Sequence, residues 1–416
     1  MKMKKRLIFS LVALTVCVSV HAEVLDRPSG IKIGERMILR PYVTLSFTYD
    51  SNVNSFGGAS SEGKRGDYMW SISPALWLHY NAETWSTILS GFYNYHQYLQ
   101  SENRGRNQHN FGEDWRWNWA NSTGRDKGWS LVLGQSFQQI TMADDLVYDS
   151  GARYGGDTRQ FQFSGALQRR FNENLHGDVN ASYYWLDYAQ DGSSQYTFYG
   201  WDRILVGGEV GFAPSPWTDF ILSGSYQQFN QDNTGASGYD GNSDGYSVQA
   251  GIGSYMTDRI SYRLLAGWSR FNYSSSDSSS DGFVYTASGN WKIGETWNMM
   301  LLGSSYYQPS ERQQASRSRV DAISWGLAKM MIRGKLRATF DIRYRRETNE
   351  HASESAYDYV LNIWTGRLGV DYSLCRFLSA YANAEYQRSM NDEADSRNGA
   401  YDYDRWRLTI GLKVSY

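Results

Sequence analysis

The sequence is poor in proline and cysteine, and beyond its leader it has no long apolar run. Of 416 residues, 6 are Pro and 2 are Cys. Cys17 falls in the leader described below, so Cys375 is left without an internal disulfide partner and a disulfide scaffold is excluded. After residue 22 no stretch approaches the ~18 consecutive apolar residues of a membrane-crossing helix. A mean hydropathy of −0.58 is too polar for a helical bundle in a bilayer. Neither charge sign dominates, with 41 Lys and Arg against 43 Asp and Glu, so nucleic acid is not an expected partner. What the chain has instead is 16 Trp, 32 Tyr, 17 Phe and 40 Gly. Low proline with many aromatics and glycines suits a chain made mostly of strands and turns.

The first 22 residues read as a secretory leader. Lys2, Lys4, Lys5 and Arg6 form a basic start, Leu7 to Val16 an apolar stretch too short to span a bilayer, and Val20-His21-Ala22 a cleavage site. The mature chain is expected to begin at Glu23. Val16 before Cys17 does not suit lipidation, which needs a small residue there. Without the four basic leader residues, 37 basic side chains face 43 acidic ones, a net charge of −6.

From there on, the dominant pattern has period two. Val43, Leu45, Phe47 and Tyr49 alternate with Thr44, Ser46 and Thr48. A strand points successive side chains to opposite faces, so this segment has one apolar and one polar face. Trp70, Ile72, Pro74, Leu76, Leu78 and Tyr80 repeat the pattern, then Trp85, Leu89, Tyr93 and Tyr95. Eighteen candidate strands follow from this alternation: 38–49, 68–80, 84–97, 109–119, 128–140, 159–170, 175–188, 200–213, 217–229, 245–256, 260–273, 282–293, 296–308, 319–331, 335–346, 358–372, 377–388 and 403–416. The segments 260–273, 296–308 and 319–331 alternate less cleanly, and bulges are expected there.

The connections alternate too. Long polar ones such as 141–158 and 230–244 follow odd strands, and short ones such as Asn81-Ala82-Glu83 and Gly294-Glu295 follow even strands. Outer-membrane barrels have long extracellular loops, short periplasmic turns and an even strand number. Aromatics gather at both strand ends. Tyr80, Trp85, Trp119, Trp129, Trp291, Trp297 and Tyr372 lie at turn ends. Tyr49, Tyr95, Tyr226, Tyr246, Phe283, Tyr307, Tyr344 and Tyr386 lie at loop ends. Two such girdles mark the two headgroup levels. A soluble propeller or sandwich also gives regular strands, but shorter ones of about 5–6 residues.

The predicted fold is therefore all-β: an antiparallel up-and-down transmembrane barrel of about eighteen strands over residues 38–416. A periplasmic segment, 23–37, precedes it. Trp406, Leu408, Ile410, Leu412, Val414 and Tyr416 are apolar at every second position up to the terminal aromatic. This resembles the closing-strand signal read by the barrel assembly machinery, an expected partner together with outer-membrane lipids.

The complementary face would line a lumen wide enough for water. On the last four strands its positions include Arg337, Arg343, Arg345, Arg367, Arg405, Arg407 and Lys413, opposed by Asp341, Asp371 and Glu385. Earlier strands add Arg116, Arg203 and Arg263, with Asp114, Glu209 and Asp219. Guanidinium groups in a confined passage attract carboxylate, sulfate or phosphate. Two readings stand side by side: an anion-attracting basic track, or salt-bridged walls that stiffen the barrel. Tyr184, Tyr255 and Tyr381 on the same face suit either stacking against sugars or wall packing.

Catalytic signals are weak. His79, His96, His109, His176 and His351 are the mature histidines. His96 and His109 flank one outer loop with Ser101, but nothing orients a nucleophile there, and no serine elbow, zinc-binding pair or phosphate loop is present. The acidic loop residues Asp144, Asp145, Asp149, Asp232, Asp240 and Asp244 lack the spacing of a calcium loop. No enzyme activity, cofactor or metal is expected.

At the first strand, Arg40-Pro41-Tyr42-Val43-Thr44-Leu45-Ser46-Phe47-Thr48-Tyr49-Asp50-Ser51-Asn52-Val53 is a Pro-containing strand ending Tyr-Asp-Ser-Asn-Val soon after the mature N-terminus. This resembles the beta-barrel porin family found beside exopolysaccharide biosynthesis genes, over nearly all of the mature chain. The resemblance implies passage of polysaccharide across the bacterial outer membrane and implies no catalytic residues. A long constriction loop, a mark of general porins, is not recognisable. The expected function is a passive channel or export pore for a polysaccharide or other anionic solute, with polysaccharide and a periplasmic export component as partners. The alternative is a barrel that binds or adheres at the cell surface through its long loops.

Overall fold

The computed structural model describes residues 30–51, 66–99, 107–122, 128–141, 157–189, 200–215, 217–231, 242–254, 259–274, 279–309, 315–332, 334–351, 359–391 and 403–416. These residues form nineteen strands: β1 (Ile31–Ile33), β2 (Met37–Asp50), β3 (Asp67–Asn81), β4 (Trp85–Tyr98), β5 (Asn107–Ser122), β6 (Gly128–Thr141), β7 (Asp157–Arg170), β8 (Leu175–Ala189), β9 (Trp201–Ser215), β10 (Thr218–Gln231), β11 (Ser243–Gly253), β12 (Ile260–Tyr273), β13 (Ser279–Ile293), β14 (Trp297–Pro309), β15 (Ala315–Met331), β16 (Leu336–His351), β17 (Tyr359–Cys375), β18 (Leu378–Asn391) and β19 (Tyr403–Ser415). From β2 onward each strand pairs antiparallel with its neighbour in sequence. β19 returns to pair with β2, with Leu412 opposite Leu45 and Ile410 opposite Phe47. The result is a closed barrel of eighteen strands, as the alternation predicts, and closure leaves no edge along the wall.

Direct cross-strand partners share a face, so the register fixes the direction of every side chain. Trp406, Leu408, Ile410, Leu412, Val414 and Tyr416 point outward and are exposed. Outward rings pair between strands at both rims. Tyr80 stacks on Trp85 at 4.8 Å and Phe377 on Tyr416 at 5.5 Å. Toward the other rim, Tyr386 meets Trp406 and Tyr344 meets Trp364, both at 4.5 Å. A strand of 14 residues spans about 46 Å at roughly 3.3 Å per residue. Tilted by about 40°, it exceeds an apolar band of ~25 Å, so strand ends project beyond the girdles.

The extra strand, β1, is absent from the sequence-based expectation. β19 pairs with β2 only as far down as Tyr42, opposite Ser415. The lower part of β2 is covered instead by β1, with Ile31 opposite Leu39 and Ile33 opposite Met37. The three residues are too few to show alternation. Gly34, at φ 67°, makes the tight return between them.

Of the three strands expected to carry bulges, only β15 has a register shift among the described residues, just before the predicted span 319–331. Registers shift between Thr218 and Phe220, between Ala315 and Arg317, and between Ser373 and Cys375. The ladders of β12 with β13 and of β14 with β15 run without a shift. Weak alternation there reflects inward Leu265, Met300 and Leu302, which are apolar residues on the inner face.

Four inward rings lie over glycines directly across the ladder: Phe92 over Gly112, His176 over Gly211, Phe271 over Gly245 and Tyr381 over Gly411. A Cβ at Gly411 would sit 2.4 Å from the Tyr381 ring, and one at Gly245 2.5 Å from the Phe271 ring. The glycines thus let flat side chains lie against the wall rather than project across the passage.

Candidate lumenal site

The wall formed by β16–β19 and β2 carries most of the lumenal charge. The register turns Arg337, Arg343, Arg345, Arg367, Arg405, Arg407 and Lys413 all inward. Arg40 on β2 joins them. Asp341, Asp371 and Glu385 also face inward, with Arg337 opposite Asp371, and Asp341 and Glu385 flanking Arg367. Two further carboxylates escape the sequence-based list. Asp50 ends β2 and Glu347 lies near the end of β16; both are buried.

These carboxylates order the basic groups. Arg405 donates through Nε to both oxygens of Asp50, at 2.8 and 2.9 Å, and its Nη2 contacts the same carboxylate. Arg407 Nε reaches Asp50 at 3.2 Å. Arg367 Nε donates to Glu385 at 2.5 Å, and Arg345 lies 3.4 Å from Glu347. Lys413 stands 4.5 Å from the centre of the Tyr42 ring.

Accessibility then divides the group. The Arg405 side chain is 1% exposed and serves the wall. The Arg367 and Arg407 side chains are 44% and 23% exposed and present guanidinium to the passage. The arginines of this wall thus differ in exposure, Arg405 being buried and Arg367 and Arg407 partly open, while all three are paired with carboxylates.

β9 lies half-way round the barrel from β18. Inward groups on β8–β10 include Asp178, Glu209 and Asp219, with Asp178 directly opposite Glu209. Arg263 on β12 reaches over Gly253 to Glu209, with Nη1 at 2.8 Å. His176 Nε2 crosses Gly211 to Asp219 at 3.0 Å. Arg203 faces inward near the Tyr184 ring, which stacks on Trp201. Asp114 and Arg116 face inward on β5. An acidic cluster thus stands across the passage from the basic wall. Toward the extracellular end inward side chains are buried on strand after strand, among them Leu186, Phe271, Val284, Val320 and Leu361.

The two loop-flanking histidines are not brought together. His96 pairs with Gln108 on the inner face, whereas His109 pairs with Tyr95 on the outer face and contacts the Tyr93 hydroxyl through Nδ1. Ser101, Tyr255, the loop acids 144, 145, 149, 232 and 240, and the leader 1–22 lie outside the described residues. Among the described residues no group of three or more His, Cys, Asp or Glu is placed to hold a metal.

A family model described as "Putative beta-barrel porin 2" matches residues 27–416. The chain belongs to this family. As a porin-family barrel it is an integral protein of the bacterial outer membrane. No curated protein matches the chain. Solved structures similar to it include the FrpB iron transporter of Neisseria meningitidis, at 10% identity and a TM-score of 0.46, covering 92% of this chain and 82% of that one. The siderophore receptor PirA of Pseudomonas aeruginosa gives 9%, 0.43, 93% and 81%, and the outer-membrane protein opdK of Pseudomonas aeruginosa 11%, 0.44, 91% and 99%.

Proposed function

We propose that this barrel is a passive channel that favours anionic solutes, and that its cargo is an acidic polysaccharide. The observation that carries the reading is the exposed guanidinium of Arg367 on the inner wall, with Arg407 on the strand after next. Mid-passage cations that keep contact with water attract a passing anion without binding it tightly, as conduction requires. Carboxylate-paired arginines hold these groups at fixed positions, and arginine suits the planar carboxylates of acidic sugars. The reading assigns no catalytic group, cofactor or metal. It takes the alternating C-terminal strand from Trp406 to Tyr416 as the segment offered to the assembly machinery, and a periplasmic export component as the supplier of polymer.

The test is the reversal potential of the refolded mature chain in a planar bilayer under a salt gradient. The wild type is expected to prefer anions, and an acidic oligosaccharide is expected to block the current. Arg367→Ala combined with Arg407→Ala is expected to move the potential toward zero while the barrel still folds. An unchanged potential removes the anion track.

A second reading, surface binding with a closed lumen, is favoured by the burial of Val320, Leu361 and Phe271 toward the extracellular end. It predicts no current from a correctly folded barrel.

A further inference from the structure

Glu113 faces lipid. It sits on β5 opposite Gly91 and Phe137, both outward, and its side chain is exposed. Trp119 follows six residues later toward the periplasmic girdle, and His109 precedes it by four toward the extracellular one. At roughly 3.3 Å per residue these are about 20 Å and about 13 Å along the strand, which places the carboxyl inside the hydrocarbon band. Gln135 on β6 donates to it, with Nε2 3.4 Å away. Gln135 also faces outward, opposite Trp115. Among the described residues, these are the only Asp, Glu, Lys, Arg, Asn or Gln side chains on the outer face that lie well inside both girdles.

Beside the pair is a shallow, open hollow of about 580 Å³ whose outward lining includes Pro74, Leu76, Gly91, Tyr93, Phe111 and Phe137, with inward Ala75, Phe92 and Gly112 at its floor. Pro74 donates no hydrogen bond to the ladder and Gly91 has no side chain, so the wall is recessed there. A carboxyl group, an amide and a recess on a surface meant for acyl chains are costly features. They are accounted for if another protein surface covers them.

We propose that this patch is the contact between two copies of the chain, related by a two-fold axis along the membrane normal. The patch is self-complementary. It holds both an acceptor, Glu113, and a donor, Gln135, at nearly one height, since the two touch. A two-fold axis beside them brings Gln135 of the partner subunit onto the second oxygen of Glu113, and the reverse contact forms by symmetry. The four side chains close a ring of hydrogen bonds shielded from lipid by the surrounding rings. Partnering between polar groups drives association in a bilayer, where apolar contact alone does not distinguish protein from acyl chain.

The experiment is disulfide cross-linking of the full chain in outer membranes, in a Cys375→Ser background. Leu89→Cys, outward and opposite Trp115, is expected to give a cross-linked species of twice the monomer mass. Leu264→Cys, outward on β12, is expected to give none. Adding Glu113→Leu to Leu89→Cys is expected to lower the dimer yield at least fivefold while heat-modifiable migration shows an intact barrel. Adding Glu113→Gln, which keeps a hydrogen-bonding group, is expected to retain most of it. The proposal is overturned if Leu89→Cys yields no dimer, if it yields only an adduct with a protein of different mass, or if Glu113→Leu cross-links as well as its parent.

Discussion

Asp50 is the residue on which the seam of the barrel turns. It accepts from Arg405 and Arg407 at once, and all the charge of the Arg405–Asp50 pair is buried. Removing Arg405 takes away the closest charge partner of buried Asp50 and leaves it to Arg407, at a cost of about 1–3 kcal/mol. Arg405→Ala is therefore expected to destabilise the folded barrel by that amount in denaturant titration from lipid vesicles. The double variant with Asp50→Asn is expected to recover part of the loss, because the buried side chain at 50 is then uncharged. Arg367→Ala is expected to change stability by less than about 1 kcal/mol, since its side chain is open to solvent. The inward face of Arg367, Arg405 and Arg407 was legible in the sequence. The identity of their partners was not. Asp50 and Glu347 lie just past the predicted strand ends at 49 and 346. The real strands outrun the apolar band, and beyond it the outer face no longer needs apolar residues, so alternation fades while pairing continues.

At the scale of the strand, the glycine and ring pairs matter most. Gly245 and Gly411 lie directly beneath Phe271 and Tyr381. A methyl group at either position meets the ring, which must swing toward the passage. Gly411→Ala is expected to cost about 1–3 kcal/mol, the usual range for overpacking, measured by the same titration. It is also expected to lower single-channel conductance as Tyr381 is displaced inward. Strand positions and faces were readable because the bilayer imposes strict alternation on each segment. The three residues of β1 were not, because alternation needs more than one turn of the pattern. Nor did composition reveal the three register shifts, which follow from how neighbouring strands fit rather than from any one of them.

The molecule as a whole is organised by two environments, one on each side of a single sheet. Outward positions answer to hydrocarbon, so Leu264→Arg on β12 is expected to cost about 2–4 kcal/mol, as cations do near the bilayer midplane. Refolding yield into vesicles and denaturant midpoint both report it. Inward positions answer to water and to each other, with acidic β8–β10 across from basic β16–β19. This division made the architecture legible from the sequence alone, while the lipid-facing Glu113 was hidden by its neighbours. Asp114 and Arg116 supply the charge expected of that segment, and only the register shows that Glu113 lies on the other face.

The seam between β19 and β2 also has a consequence in time. The Arg405–Asp50 pair joins groups 355 residues apart in the chain, whereas neighbouring strands meet across a short turn or loop. Closing a loop of that length costs about 2.5 kcal/mol more entropy than closing one of ~20 residues, and β2 is made long before β19 exists. The seam is thus the last ladder to zip, and the ring cannot be complete before it. Variants in Arg405, Arg407 or Asp50 are expected to accumulate an open, protease-sensitive sheet during insertion. Their defect should show as slow arrival at the folded state, in pulse-labelled assembly, even where the barrel that finally forms is sound.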